Sequence, residues 1–256
     1  MSRFWFVSTG TLARKEIVRV VRIWRQTVFP SVITTVLYFA IFGFVLGQRV
    51  GSVDGIPYAQ FVAPGLVMLA LTLGSYSNAA FSVYIEKFHG AFDELLSSPM
   101  SDHQIIIGFA AGGIFRGILN AFAVWLTCLY FVGYLLPHPL LALLACLLAS
   151  ILFSMMGVIN GLVAKSFDGL NVMTVIILNP LVMLGGIFYS VNMLSGVWQT
   201  VAWFNPMLYI GNLFRYCMVG TANISPIFVC EILAILIVFL YLVAIFLMSR
   251  TTYVRQ

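Results

Sequence analysis

Charged side chains are what this chain of 256 residues has least of: Asp, Glu, Lys and Arg make up 8% of it, against roughly a quarter in an ordinary soluble domain. That scarcity excludes a soluble globular domain. Histidine is rarer still, with His89, His103 and His138 the whole complement, and no H-E-x-x-H or related spacing is present to hold a metal. No G-x-x-x-x-G-K-[ST] string occurs. The nearest, Gly161-Leu-Val-Ala-Lys165-Ser166, lacks the spacing of a phosphate cradle, so the chain does not bind ATP by that route. Cys128, Cys146, Cys217 and Cys230 sit in apolar surroundings without paired ligand spacing, which makes them packing residues, neither disulfides nor a zinc site. A basic face beyond the apolar segments, which nucleic acid would require, is missing. So are the ~10-residue alternation of a membrane β-barrel and the internal repeats of many secondary transporters.

What is abundant is apolar surface: 62% of residues are hydrophobic and the mean hydropathy is +1.05. A bilayer-spanning helix needs about 20 mostly apolar residues, so the chain reads as an all-α polytopic membrane protein of one domain, with six spans expected at 28–46, 58–84, 116–136, 140–163, 170–188 and 227–248. The apolar run 105–136 is too long for one straight span and contains Arg116. Because an arginine at mid-bilayer is costly, residues 105–115 are expected to climb through the inner interface. Arg116 then begins the third span, either snorkelling to the inner leaflet or facing a substrate or counter-ion. Asn179-Pro180 should kink the fifth span. Residues 189–225 are rich in Trp, Phe and Leu, yet Asn205-Pro206 divides them into pieces too short to cross. They read as a re-entrant hairpin dipping into the outer leaflet; the rival assignment, a crossing at 197–219, would leave the carboxyl terminus outside.

Charge placement orients the chain. With six spans, eleven of the thirteen Lys and Arg residues fall on one side and only Arg49 and Arg215 on the other, which puts both termini in the cytoplasm by the positive-inside rule. The amino end has a basic stretch before its first long apolar run and no cleavable signal pattern, so the first span is expected to serve as its own anchor. Residues 1–27 read as an interfacial amphipathic helix: Lys15, Arg19 and Arg22 lie on one face, Ile17, Val20, Val21 and Trp24 on the opposite one, and Arg14 and Arg25 extend the basic set.

Between the second and third spans, 86–103 holds Glu86, Asp93, Glu94 and Asp102, half of the chain's eight acidic residues. Phe88, Phe92, Leu95 and Leu96 recur there at helical spacing with Asp93 and Glu94 turned away, and Ser97-Ser98-Pro99 stops the pattern. A wet amphipathic helix between two spans is a handle for a soluble partner; the plainer alternative is a solvated loop helix. Ser75, Asn78, Asn120, Asn160 and Asn179 lie within spans, where they line a path or hydrogen-bond neighbouring helices at about 1 kcal/mol each. Glu231 is the one acid near a span interior, expected at the outer end of the last span.

Five strings, in order, carry a resemblance over nearly the whole chain: Arg22-Ile-Trp-Arg-Gln-Thr; Phe61-Val-Ala-Pro64-Gly-Leu; Glu94-Leu-Leu-Ser-Ser-Pro99; Asn160-Gly-Leu-Val-Ala-Lys165-Ser-Phe-Asp168; and Gly185-Gly-Ile-Phe-Tyr-Ser followed by Asn205-Pro206 and Phe214-Arg215-Tyr216. With them the chain resembles the membrane subunits, or permeases, of type-2 ABC exporters of the bacterial inner membrane. The resemblance implies a homodimer of permeases in membrane lipid and two copies of a separate cytoplasmic ATP-binding subunit. ATP and Mg would be held on that partner, and no cofactor or catalytic site on this chain. It also implies that Glu86, Lys87, Phe92, Asp93, Glu94, Leu95, Leu96 and Pro99 form the coupling element, and that Asn205, Pro206 and Arg215 belong to an external re-entrant element. Cargo would be lipid-linked, polysaccharide or hydrophobic. An ATP-independent ion-coupled transporter or channel is the alternative, and would want paired acids at mid-membrane where the sequence offers only Glu231. An integral membrane enzyme of lipid metabolism is disfavoured, because no metal-binding or acid-rich motif sits at an interface.

Overall fold

The helix α4 (Tyr58–Phe88) is the staff on which the others lean: 83% of its most apolar stretch is buried inside the protein, against 11% for Trp24–Val50 and 17% for Pro226–Arg250. The computed structural model describes residues 2–133, 136–221 and 224–253. Tyr134 and Leu135 of the expected third span, Ala222 and Asn223 of the expected hairpin, and Arg255 of the basic tail lie outside the described residues.

In chain order, α1 (Ser2–Arg22) leads into α2 (Trp24–Tyr38), which continues through wider π-helical turns at Phe39–Leu46 into α3 (Gly47–Val50). A small hairpin pairs β1 (Ser52–Val53) with β2 (Ile56–Pro57) in antiparallel register, Ser52 opposite Pro57 and Val53 opposite Ile56. Its turn, Asp54-Gly55, has φ of 51° and 78°, the twist that two-residue hairpins favour. After α4 come α5 (Ala91–Ser97), α6 (Asp102–Val132) and α7 (Pro139–Val163). Then α8 (Phe167–Met173), π-helical turns at Thr174–Leu178 and α9 (Asn179–Met183) form one broken rod. The short helices α10 (Val197–Trp203) and α11 (Pro206–Val219) precede α12 (Pro226–Tyr253).

Among the described residues, five stretches are long and apolar enough to cross a bilayer, Trp24–Val50, Tyr58–Phe88, Asp102–Val132, Pro139–Val163 and Pro226–Arg250, while Phe167–Met183 is shorter. The protein is an all-α polytopic membrane protein. Although short, the Phe167–Met183 rod and its extension run the length of α4. Phe167 packs tilted against Phe81 and edge-on to Tyr84 at one end, and at the other the Phe188 carbonyl accepts a 2.9 Å hydrogen bond from the Tyr58 hydroxyl. The disruption expected at Asn179-Pro180 occurs as the π-helical turns just before it, because the proline nitrogen has no hydrogen to donate to the preceding turn.

Close helix approach depends on small residues, as membrane helices require. A Cβ on Gly161 of α7 would lie 2.7 Å from Val83 and 2.8 Å from the Ala80 carbonyl, and one on Gly113 of α6 would lie 2.7 Å from the Ser75 carbonyl. This glycine row corrects one expectation. The apolar run is not split at Arg116: α6 runs unbroken from Asp102, started by a reciprocal Ser101/Gln104 capping box, and Arg116 stands at mid-helix. A second correction concerns 86–103, which is no single helix. Glu86, Lys87 and Phe88 finish α4, and Gly90, at φ 76°, makes the left-handed turn that only glycine adopts freely before α5 begins.

Candidate functional site

The acidic segment forms the tip where α4, α5 and α6 meet. Phe92 is 2% exposed and packs in a cluster with Leu12, Val83, Ile105 and Phe109; Leu95 and Leu96 pack partly against the same cluster. Asp93, Glu94 and Pro99 are exposed, so the two faces of α5 separate as its spacing predicts. Phe88 does not share the buried face: belonging to α4, it points out at 75% exposure. Helical spacing carried across Gly90 misplaces it, because the reversal there resets the phase.

Glu86 and Lys87 act inward. Glu86 forms a 2.6 Å ion pair with Lys15 of α1, worth about 0–1 kcal/mol at a partly exposed position. Lys87 Nζ donates to the carbonyls of Gly161, Leu162 and Ala164 at 3.2, 2.6 and 3.2 Å, satisfying the acceptors left open at the end of α7. The tip is thereby tied to α1 on one side and α7 on the other.

The α1 helix also departs from expectation. Its basic residues do not all share one outward face, and it packs lengthwise along the first half of α6. Gln104 bonds the Trp5 carbonyl and Ser8 hydroxyl, a Cβ on Gly108 would collide with Leu12, and one on Gly112 with Glu16. Arg14, Arg22 and Arg25 are exposed, and Arg25 lies 5.7 Å over the Trp24 ring. Arg19 turns inward instead, 2.8 Å from Glu16 and 3.3 Å from Asn78 Oδ1. Glu16 is fully buried at 0% exposure and accepts a 2.5 Å hydrogen bond from Ser82. Burial pushes its carboxyl above the ordinary 4.5, with Arg19, the Ser82 bond and Lys15 pulling the other way. Its one signal in the sequence is that it is the sole acid of residues 1–27.

The span polar residues differ in exposure. Ser75, Asn78, Asn120 and Asn160 are buried, whereas Asn179 is exposed. Asn160 Nδ2 donates to the Tyr76 hydroxyl at 2.8 Å and the Leu170 carbonyl at 3.2 Å, so it joins helices. At α11, the Asn205 side chain accepts from Met207 N at 2.9 Å and donates to the Leu181 carbonyl at 2.6 Å, with Pro206 at the first helical position, where no donor is lost. Arg215 is buried, donates to the Gly186 carbonyl at 2.9 Å and lies 4.0 Å over the Phe61 ring. The turn between α10 and α11 thus sits at the depth of Leu181, while the far end of α11 reaches the loop before α7, where His138 stacks on Tyr216.

Comparison with known proteins bears on this geometry. The profile of the ABC-2 type transporter family matches residues 7–219. The chain is 37% identical over 250 residues to the inner membrane transport permease YadH of Escherichia coli strain K12, covering 98% of both chains. It is also 24% identical over 243 residues to nodulation protein J of Rhizobium leguminosarum bv. viciae, covering 89% of this chain and 90% of that protein.

Proposed function

This chain belongs to the ABC-2 type transporter family, and from that premise we propose that it is the membrane subunit of an ATP-driven exporter whose motive force comes from a separate ATP-binding subunit docked around α5. Two permease copies and two ATP-binding subunits make the working assembly, in the inner membrane, with six crossings and both termini cytoplasmic. The cargo is lipid-linked, polysaccharide or otherwise hydrophobic. ATP and Mg are bound by the partner, while this chain supplies the path.

The observation that carries the reading is the two-faced α5. Its outer face presents Asp93 and Glu94 beside exposed Phe88, and its inner face is anchored through Phe92 in a cluster shared with α1, α4, α6, α7 and α12. A push on such an element moves the spans, because close-packed side chains do not absorb displacement. The largely unburied flanks of Trp24–Val50 and Pro226–Arg250 leave surface for lipid and for a second copy.

Charge reversal at Asp93 and Glu94, or Leu95→Pro, is expected to cut cargo-stimulated ATP hydrolysis by the reconstituted complex at least fivefold, with membrane insertion unchanged. Wild-type coupling in all three variants refutes the docking face, as does labelling that places position 93 outside. Cargo movement by the purified subunit with no nucleotide would restore the ion-coupled alternative.

A further inference from the structure

Arg116, half-buried at the middle of α6, is a cation the docking face leaves unused. It stands opposite the middle of α4: a Cβ on its neighbour Gly117 would meet Ser75 and the Leu71 carbonyl, and Asn120, one turn on, packs against Gly74. A charge within an apolar span is costly when it lacks a partner. Among the described residues no carboxylate pairs with it, since Glu16 is engaged by Arg19 and Ser82 and Glu86 by Lys15. Its Nε is buried without a hydrogen-bond partner.

Arg116 opens into a cavity of about 250 Å³ between α2, α4 and α6, roughly eight times the ~30 Å³ share of one liquid water. The polar side chains Gln26, Thr34, Ser77 and Asn120 share its wall with Arg116, and Leu66 and Leu69 continue it toward the external end of α4. One wall is therefore cationic and rich in hydrogen-bonding groups, the other apolar, and both lie at membrane depth. A guanidinium presents a planar fork of donors that matches phosphate oxygens two at a time.

We propose that this cavity binds the phosphate headgroup of an anionic amphipathic molecule, with Arg116 as counter-ion and the apolar chain following Leu69 and Leu66. This deepens the exporter reading, on which it rests, by naming a cargo class; the binding is measured without the ATP-binding subunit, so either can fail alone. The fit is specific in that a zwitterionic headgroup brings its own cation into the same space and a free anion gains nothing from the apolar wall.

The test is native mass spectrometry of the purified full chain with dioleoyl phosphatidate, dioleoyl phosphatidylcholine and inorganic phosphate as probes. Wild type should retain phosphatidate at least tenfold over phosphatidylcholine, and Arg116→Gln should lose that preference. Arg116→Lys, which keeps the charge and loses the fork, should fall between. Ser77→Leu, which fills the polar wall without changing charge, should also lose it, and it carries the test should Arg116→Gln not fold. Retention unchanged in Ser77→Leu, and in Arg116→Gln where that variant folds, overturns the proposal. So does an equal loss in Arg14→Gln or Arg22→Gln, which would mean general surface attraction. Displacement of phosphatidate by millimolar inorganic phosphate overturns the amphipathic assignment in favour of a free anion.

Discussion

Replacing Arg19 by Met should strand the Glu16 carboxylate. In the folded chain Glu16 has 0% exposure, a 2.8 Å ion pair with Arg19 and a 2.5 Å hydrogen bond from Ser82. Removing one partner of a buried pair typically costs about 3–5 kcal/mol, because the remaining charge is left uncompensated. Arg22→Met, one turn away and exposed, should stay within about 0.5 kcal/mol of wild type. The double variant Glu16→Gln/Arg19→Met should recover most of the loss, since an amide still bonds Ser82 and carries no charge to bury. The assay is reversible unfolding in mixed micelles at pH 8 and pH 5. Burial holds the Glu16 carboxyl above its unfolded value of 4.5, so the folded state takes up a proton more readily than the unfolded one, and Glu16 favours folding less as pH rises through that window. Loss of Arg19 removes a pull toward lower values and widens the window upward. The Arg19→Met deficit should therefore shrink at pH 5, where more of the carboxyl is protonated and needs no counter-ion. Equal stability of Arg19→Met and Arg22→Met at pH 8, or a deficit that ignores pH, refutes the reasoning.

Two further outcomes follow from the tip. Lys87→Met removes a charged donor from the Gly161, Leu162 and Ala164 carbonyls at the end of α7 and should cost about 1.5–3 kcal/mol in the same unfolding assay, with Lys87→Arg partly restoring it. Phe88→Ala should leave stability unchanged, because the ring is 75% exposed, yet weaken binding of the ATP-binding subunit about tenfold in a pull-down titration, as loss of an aromatic anchor does.

Much of this architecture is legible without coordinates, and the family resemblance carried by the five ordered strings is upheld by the profile match over residues 7–219. The two short helices meeting at Asn205-Pro206 are where the composition places them, since proline and a capping asparagine act on their own neighbours. The continuity of α6 through Arg116 is not legible. A single charge in an apolar run looks like a boundary until the glycines at 112, 113 and 117 are seen facing Glu16, Ser75 and Leu71, which lets the helix continue through the crowded region. Phe88 fails for the opposite reason: its helical phase is right only up to Gly90.

What the sequence alone determined is the class of object, a multi-span helical membrane protein with a wet acidic segment, because the cost of placing a segment in lipid is a sum over adjacent residues. Only the tertiary structure decided which polar groups are anchors, which are exposed and which are left unpaired. Glu16 meets Ser82 across 66 residues of chain, and Lys87 meets Gly161 across 74. A hydrogen bond or ion pair is a property of two places at once, and its second place is set by how the helices pack.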